Sequence, residues 1–569
     1  MNKTWLLPWW RDLDRLTAGR DLVAGLVIAA MLVPQGMAYA ALAGLPPQVG
    51  LYASLLPPAA YALFGTSRYL AVGPVAVVSL MVATATAALS QRHGVDPVST
   101  AASLALVSGA LLMLMGILRL GFLTHFLSRP VLTGFLSAAA VLIAVSQLPQ
   151  ILDIRVEASD PVTVLSTVAG QLEQINPWTV GTALATILVI RWVNGPVGRF
   201  LSRANLGLGV LVGRMGALVA LVLAIVLASL TGLSDQLPQI GEIPAALPRP
   251  SLPPLDTAWL LELGGAALLI SLVGFMESVS VGRALAAREG ESIRPDRELL
   301  GLGAANLAAG LTSAYPVTGG LSRSIVAADA GARTPLAGVF AAIFVLLVLL
   351  LATPLLEALP RAVLAGIVLL AVVQLISPRE WRTIWIQDRR DGMVLVLTAL
   401  AVLLVGVEAG LVAGIAASIL VLLWRVSRPH VAVVGRIAGT EHFRNRERHE
   451  VEELPGVRMV RVDESLQFPN SRFLRDTLVQ AGSEPGIRDV VLIASAVNDV
   501  DATALEALEE AIDTLNGRGV RLHLAEVKGP VMDRLERVGL PERLHPGEIF
   551  LSTHDAARSL GSRMRHVHE

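Results

Sequence analysis

Residues 314–329, AYPVTGGLSRSIVAAD, place a permanent positive charge inside an otherwise apolar run. Arg323 is the only charged residue between Glu298 and Asp329. A proline and the pair Gly319–Gly320 interrupt the chain just before it, which favours a helix that begins only after them. An arginine inside a bilayer costs about 2.5–3.5 kcal/mol on insertion scales, so we expect it to have a function. The alternatives are that Arg323 reaches the interface from a helix end or pairs with a carboxylate.

The composition identifies an integral membrane protein. Of the 569 residues 54% are hydrophobic and only 16% are charged, and the mean hydropathy is +0.63, far above that of a soluble chain. Uncharged windows such as 22–67 and 334–356 each supply one or two spans of about 20 residues, so we predict about fourteen spans. Arginines cluster in alternate loops, which predicts that both termini face the cytoplasm.

Several function classes have no support in the sequence. Because there is no cysteine, disulfides and cysteine-ligated metals are excluded. His566 and His568 have no third ligand beside them, so we expect no metal and no cofactor. A net charge of -1 gives no indication of nucleic-acid binding. With no nucleophile–base pair visible, an enzyme is the least favoured class.

A second region of ordinary soluble composition begins after Trp424. Strand and helix patterns alternate in it, which predicts a small, mainly parallel α/β sheet. It has no glycine-rich nucleotide loop, so a regulatory or docking module is the better interpretation. We therefore predict four segments: a cytoplasmic N-terminal segment 1–20, a transmembrane domain 21–425, a linker 426–450 and a cytoplasmic domain 451–569.

One loop of this second region allows two interpretations. Asp501 stands at a predicted helix start, with Thr503 just inside the helix. The first interpretation is that Asp501 is an N-cap that accepts backbone hydrogen bonds. The second is that Asp501 and Thr503 mark a regulatory site of modification or partner contact.

A second interrupted span lies in the first half of the membrane region. In residues 69–90, YLAVGPVAVVSLMVATATAALS, Gly73–Pro74 precedes a helical run. Paired interrupted segments in two halves indicate a binding site formed by inverted repeats. Each half-helix would present free N–H groups and the positive end of its dipole. Together with Arg323, these ends predict a site for an anion.

Glu277 is a second charge inside an apolar run, beside Ser278. Burial would favour its protonated form, whereas a nearby Arg323 would favour the ionised form. We therefore predict that Glu277 couples proton exchange to anion movement. The alternative is a structural role near the cytoplasmic end of its span, since Arg283 follows six residues later.

Long segments of the chain resemble the SulP family, the sulfate permease and related solute carrier 26 anion transporters. They are residues 24–80, which open AGLVIAAMLVPQGMAYAALAGLPPQVGLY, residues 275–286, FMESVSVGRALA, and residues 315–338, YPVTGGLSRSIVAADAGARTPLAG. The C-terminal region is similar to STAS domains. The resemblance implies a polytopic all-α membrane domain of seven plus seven helices in inverted repeats, divided into core and gate domains, and a small cytoplasmic α/β STAS domain. It also implies a homodimer, cytoplasmic partners for the STAS domain, and a multi-pass protein of the bacterial inner membrane.

The resemblance further implies which residues bind the anion. Carried over to this sequence, they are Pro34, Gln35 and Tyr39 of the first span, Gly73, Pro74 and Val75 at one half-helix, and Gly320, Leu321, Ser322 and Arg323 at the other. Glu277 matches the acidic position used for proton coupling, and relatives that use Na⁺ tend to carry Asp there, so H⁺ is the expected coupling ion. Gly320 departs from the commoner Gly-Ser-x-Ser-Arg pattern, a change we expect to affect selectivity.

The function implied is a secondary active anion transporter that works by proton-coupled symport and alternating access. Sulfate is the family's usual substrate, and bicarbonate or a C4-dicarboxylate such as fumarate or succinate are the alternatives. A nucleobase transporter of the same architecture is a further alternative. It should carry a carboxylate where Ser322 and Arg323 stand here.

Overall fold

The computed structural model describes residues 6–7, 9–10, 13–125, 128–156, 160–203, 213–232, 236–244, 246–248 and 257–567. Residues 1–5, 8, 11 and 12 of the predicted N-terminal segment, and His568, lie outside the described residues. The chain divides into two compact units, Met1–Ala416 and Ala417–Glu569. The first is helical, and the second is built on a sheet.

Helices make up nearly all of the described part of the first unit. Among the described residues, seven helical stretches are long and apolar enough to cross a bilayer, and shorter apolar helices accompany them. Short 3₁₀ turns lie at Leu120–His125 and Leu172–Gln174, and a π turn at Val193–Val197. The α-helices are Arg15–Leu42, Pro47–Tyr52, Leu56–Phe64, Ala76–His93, Pro97–Ile117, Arg129–Leu152, Pro161–Gly170, Pro177–Trp192, Gly198–Arg203, Gly216–Thr231, Thr257–Arg288, Pro295–Leu311, Leu321–Asp329, Leu336–Leu351, Thr353–Glu357, Arg361–Val373, Pro378–Gln387 and Arg389–Leu404, followed by Val407–Ser427, within which the boundary between the units falls.

The opening helix, Arg15–Leu42, shows why such helices pack inside the unit. It begins at Asp14, whose carboxylate accepts a hydrogen bond from the Thr17 N–H at 2.6 Å. It is apolar on nearly all sides, so neighbouring helices surround most of it. Glycine permits close approach of a neighbouring helix, because a Cβ at Gly25 would lie only 2.6 Å from the Cβ of Phe340.

Two very short strands join the two halves of this unit. Strand β1, Val72–Gly73, pairs antiparallel with strand β2, Thr318–Gly319. A further hydrogen bond runs from the Gly320 N–H to the Ala71 carbonyl at 3.1 Å. Each strand leads into a helix, Ala76–His93 (the first half-helix) and Leu321–Asp329 (the second half-helix). The predicted interruptions therefore lie side by side.

Two buried carboxylates fix the chain turns that flank these half-helices. Glu298 is fully buried and accepts hydrogen bonds from the Tyr61 hydroxyl at 2.6 Å and the Thr66 N–H at 2.8 Å, just before β1. Asp21 is equally buried and accepts from the Thr334 hydroxyl at 2.5 Å, just after the second half-helix. Buried polar groups of this kind persist only when they are hydrogen-bonded, so both turns are held in position.

The second unit is a six-stranded mixed sheet with helices against it. Its strands are β3 (Val431–Arg436), β4 (Phe443–Asn445), β5 (Val457–Val462), β6 (Asp489–Ile493), β7 (Arg521–Ala525) and β8 (Ile549–Phe550), in the spatial order β4-β3-β5-β6-β7-β8. Pairs from β5 to β8 are parallel, as predicted. Its helices are Ser471–Gly482, Ala502–Asn516, Gly529–Arg537, Leu540–Leu544 and Thr553–Val567. In the second of these, Leu508, Ile512 and Leu515 are buried.

The segment 426–450, predicted as a linker, instead contributes β3 and β4 to this sheet. Both pair antiparallel, β3 with β4 on one side and with β5 on the other. The residues of β3 read VAVVGR, a short β-branched run whose strand character depends on the partner strands. The sheet is therefore mixed, with an antiparallel edge on a parallel centre.

A buried charge cluster ties β6 to β7. The Asp489 carboxylate accepts two hydrogen bonds from the Arg521 guanidinium, at 2.7 and 2.9 Å, and lies 3.0 Å from His523 Nε2. His523 Nδ1 accepts a hydrogen bond from the Glu548 N–H at 3.0 Å. Burial opposes ionisation of Asp489, but the hydrogen bonds from His523 and Arg521 outweigh it and hold the pKa of this carboxyl below its usual value.

Candidate functional site

The two half-helices begin beside one another, and neither has a side-chain cap. Val75 precedes the first and Gly320 precedes the second, and no side chain of the described residues caps either first turn. The first N–H groups of a helix have no acceptor within the helix itself. Pairing of β1 with β2 therefore brings two sets of free donors and two positive dipole ends together.

Arg323 adds a full positive charge to this place. Arg323 is only 2% exposed, and its Nη1 donates to the Gln35 side-chain oxygen at 3.4 Å. Its Nε and Nη2 are buried without a hydrogen-bond partner among the described residues. These two nitrogens form one edge of the guanidinium, the edge that binds two oxygens of an oxyanion at once.

Glu277 lies near this charge but does not neutralise it directly. Its Oε2 is also buried and without a hydrogen-bond partner among the described residues. The charges of Glu277 and Arg323 are close enough to influence each other, yet no ion pair within 4.0 Å joins these two described residues. The next residue, Ser278, accepts a hydrogen bond from the Gly319 N–H at 2.9 Å. Glu277 is thus attached through its own helix to the strand that leads into the second half-helix.

Polar side chains hold that strand from behind. Asn306 binds both backbone groups of Val317: its amide donates to the carbonyl at 2.9 Å, and its oxygen accepts from the N–H at 2.9 Å. The Thr318 hydroxyl donates to the Gly274 carbonyl at 2.6 Å. Ser324 accepts from the Ala71 N–H at 3.0 Å and so links the two halves.

Two tyrosines complete the surroundings. Tyr39 and Tyr315 are both buried, and both lie within the electrostatic reach of Arg323. The Ser79 hydroxyl, in the first half-helix, donates to the Tyr315 hydroxyl at 3.2 Å. Sequence reasoning did not identify Tyr315 or Asn306. The only signal was a polar or aromatic residue inside an apolar run.

Most of the residues predicted for the site lie in this region. Buried residues are Pro34, Tyr39, Gly73, Pro74, Val75, Gly320 and Arg323, and half-buried ones are Gln35 and Glu277. Leu321 is 49% exposed and Ser322 is exposed as well, so packing does not cover that side of the second half-helix start. Among the described residues there is no group of three or more histidines or carboxylates that could hold a metal.

The loop with two interpretations in the second unit contains a helix cap. Asp501 precedes the helix Ala502–Asn516, and its carboxylate accepts from the Ala504 N–H at 2.9 Å. Its other oxygen accepts from the Phe468 N–H at 2.6 Å. Thr503 is exposed. A regulatory role for Asp501 and Thr503 stays a prediction.

Comparison with known proteins agrees with this architecture. Residues 19–398 match the sulfate permease family and residues 448–556 match the STAS domain. The chain is 35% identical over 554 residues to "Probable sulfate transporter 4.2" of Arabidopsis thaliana, covering 95% of this chain and 80% of that protein. It is 34% identical over 562 residues to a probable sulfate transporter of Mycobacterium tuberculosis, covering 97% of each.

Solved structures show the same fold. Murine Solute Carrier 26 family member A9, an anion transporter in the inward-facing state, matches with a TM-score of 0.87 at 23% identity, over 97% of this chain and 93% of that one. The transmembrane domain of the cyanobacterial bicarbonate transporter BicA matches with a TM-score of 0.60 at 23% identity, over 71% of this chain and 98% of that one. The chain is therefore a multi-pass membrane protein that belongs to the sulfate permease family of anion transporters.

Proposed function

We propose that this chain is a secondary active transporter of sulfate or a related oxyanion, coupled to protons and working by alternating access. The observation that carries the proposal is the buried Arg323 guanidinium, whose Nε and Nη2 have no hydrogen-bond partner among the described residues and which lies beside two uncapped helix starts. An unpaired buried cation is costly, and an anion bound there would supply its missing partner. The names of the Arabidopsis and mycobacterial relatives support sulfate as the first substrate to test.

Glu277 provides the proposed coupling to protons. When Glu277 is ionised, its charge offsets that of Arg323, and the pocket attracts an anion weakly. When Glu277 is protonated, the charge of Arg323 and the two helix dipoles remain uncompensated, and the pocket attracts an anion strongly. Anion and proton would then bind together, which is the requirement for symport. Oε2 of Glu277 is buried and has no hydrogen-bond partner in the part of the chain that the structure describes, which supports this scheme.

The remaining parts of the proposal concern the residues that line the site, the oligomeric state and the orientation in the membrane. Pro34, Gln35 and Tyr39 would line it beside the starts of the two half-helices, and the backbone N–H groups there would bind oxygens of the anion. We further propose a homodimer in the bacterial inner membrane, with both termini in the cytoplasm and a regulatory STAS domain. Arginine-rich alternate loops support this orientation.

The test is uptake of labelled sulfate, bicarbonate and fumarate by proteoliposomes that contain the full-length protein, with and without a pH gradient. We expect accumulation of at least one oxyanion when the outside is acidic. Arg323→Ala should weaken binding of that anion by about 30-fold or more, because charge-assisted hydrogen bonds are lost. If no anion moves under any gradient, the transporter proposal is refuted.

Replacement of one carboxylate tests the coupling separately. Glu277→Gln should abolish accumulation driven by a proton gradient while exchange of anion across the membrane continues. The matched control is Glu262→Gln in the same helix, because Glu262 is exposed and pairs with His93 at 2.8 Å. Accumulation by Glu277→Gln at the wild-type level would remove Glu277 from the coupling.

A further inference from the structure

Because Gly320 has no side chain, the edge of the Arg323 guanidinium formed by Nε and Nη2 is left uncovered. A Cβ at Gly320 would lie 2.8 Å from Nη2, 2.9 Å from Cζ and 3.3 Å from Nε of Arg323. Nη2 and Nε are the two donors without a hydrogen-bond partner among the described residues. A side chain at position 320 would therefore either displace the guanidinium or cover the donors that are free to bind.

The backbone at this position does not require glycine. Gly320 has φ -86° and ψ 128°, an extended conformation that every L-residue adopts readily. Glycine is therefore explained here by space and not by conformational freedom.

The guanidinium has little room to move away from a new side chain. Arg323 is 2% exposed, and its Nη1 is bound to Gln35. Across β1, a Cβ at Gly73 would lie 3.5 Å from Nη2 of Arg323 and 3.0 Å from Cδ2 of Leu32. The guanidinium thus lies against two glycines, one preceding each half-helix, with packed side chains around it.

We propose that Gly320 is a specificity-determining residue, which selects anions able to take two parallel N–H donors over spherical halides. This inference rests on the proposed function, since it concerns the same anion site. An oxyanion such as sulfate or a carboxylate uses Nε and Nη2 together, and that contact depends on geometry as well as charge. A halide responds chiefly to the charge and the dipoles, which a side chain at 320 leaves in place. Because specificity is a difference of two affinities, covering the edge lowers one affinity more than the other.

The experiment measures sulfate and chloride affinities of the full-length protein in proteoliposomes, by the concentration of each anion that halves uptake of a labelled substrate. Fumarate serves as a second oxyanion. For Gly320→Ala and Gly320→Ser we expect oxyanion affinity to fall by about 10–100-fold and chloride affinity by less than about 3-fold. The matched control is Gly264→Ala, because a Cβ there meets nothing within 4 Å.

Arg323→Lys provides an independent variant, since lysine keeps the positive charge but has no two-donor edge. We expect it to shift the oxyanion-to-chloride ratio in the same direction as Gly320→Ala. It decides the question if the Gly320 variants fail to fold, as judged by gel filtration and thermal unfolding.

The outcomes separate the two proposals. If the wild type binds no anion, the proposed function fails. If the wild type binds an oxyanion but the Gly320 variants keep the wild-type oxyanion-to-chloride affinity ratio, the role of Gly320 is overturned while the transporter proposal stands. If the Gly320 variants do not fold, an unchanged ratio in Arg323→Lys has the same meaning. A fall in sulfate and chloride affinity by equal factors would also overturn it, because it would indicate a general disturbance of the pocket.

Discussion

Replacement of Asn306 by leucine should loosen the strand that leads into the second half-helix. Asn306 is the hydrogen-bond partner of both backbone groups of Val317, and Val317 is 3% exposed. Leucine has the same branched outline and the same number of side-chain heavy atoms, but it is larger and can bind neither group. Each buried group left without a partner costs about 1–3 kcal/mol, so the local cost is about 2–6 kcal/mol. Strand β2 pairs with β1 at only two residues but keeps the hydrogen bonds of Thr318 to Gly274 and of Gly319 to Ser278, so we expect this penalty to loosen it without detaching it.

Hydrogen exchange measured by mass spectrometry on the full-length protein gives the direct readout. We expect faster exchange in a peptide covering 312–322, unchanged exchange in 336–351, and sulfate affinity reduced by about 10-fold or more. The control is Ser271→Ala. Ser271 is equally buried, but its hydroxyl donates only to carbonyls, that of Ala267 in its own helix and that of Ser108, so its loss orphans no backbone N–H group. Wild-type exchange and affinity in Asn306→Leu would refute the reasoning.

Two further predictions concern charged pairs. Asp489→Asn should destabilise the second unit by about 2 kcal/mol at pH 7, read as faster exchange in peptides 489–493 and 521–525. The pKa of Asp489 is lowered in the folded protein, so its contribution to the free energy of unfolding is complete above its unfolded pKa of about 3.9 and is lost as the pH falls further. The stabilities of variant and wild type should therefore converge only below about pH 4. Arg214→Gln breaks an exposed pair with Asp329 at 2.8 Å, which is worth at most about 1 kcal/mol, so initial uptake rates should change less than about 5-fold. A tenfold loss in Arg214→Gln would mean that this pair controls the transport cycle.

The interruptions of the membrane helices were predictable because their causes are local. Gly73–Pro74 and Gly319–Gly320 cannot continue a helix easily, and each is followed by a good helical run. The α/β order of the second unit was predictable for a similar reason, since its central strands and helices have their own periodicity. Strands β3 and β4 escaped prediction because a short strand at a sheet edge is defined by its partners, which lie elsewhere in the sequence.

Asn306 illustrates a different limit. An asparagine inside an apolar helix has no distinctive spacing, and its importance comes from Val317, eleven residues away in the irregular segment that precedes β2. Glu298 and Asp21 are similar, since each binds a turn more than 200 residues distant. Their burial and their partners are consequences of tertiary packing.

The free edge of the Arg323 guanidinium was predictable only in part, because it depends on both local sequence and tertiary packing. The sequence predicted the charge, and the resemblance implied that it faces an anion. Which donors are free depends on Gln35, 288 positions earlier, which occupies Nη1. Whether those donors are accessible depends on Gly320, three residues earlier, whose backbone would accommodate any residue. A change of one residue at 320 can therefore alter which anions bind without altering the charge, the helix starts or the fold.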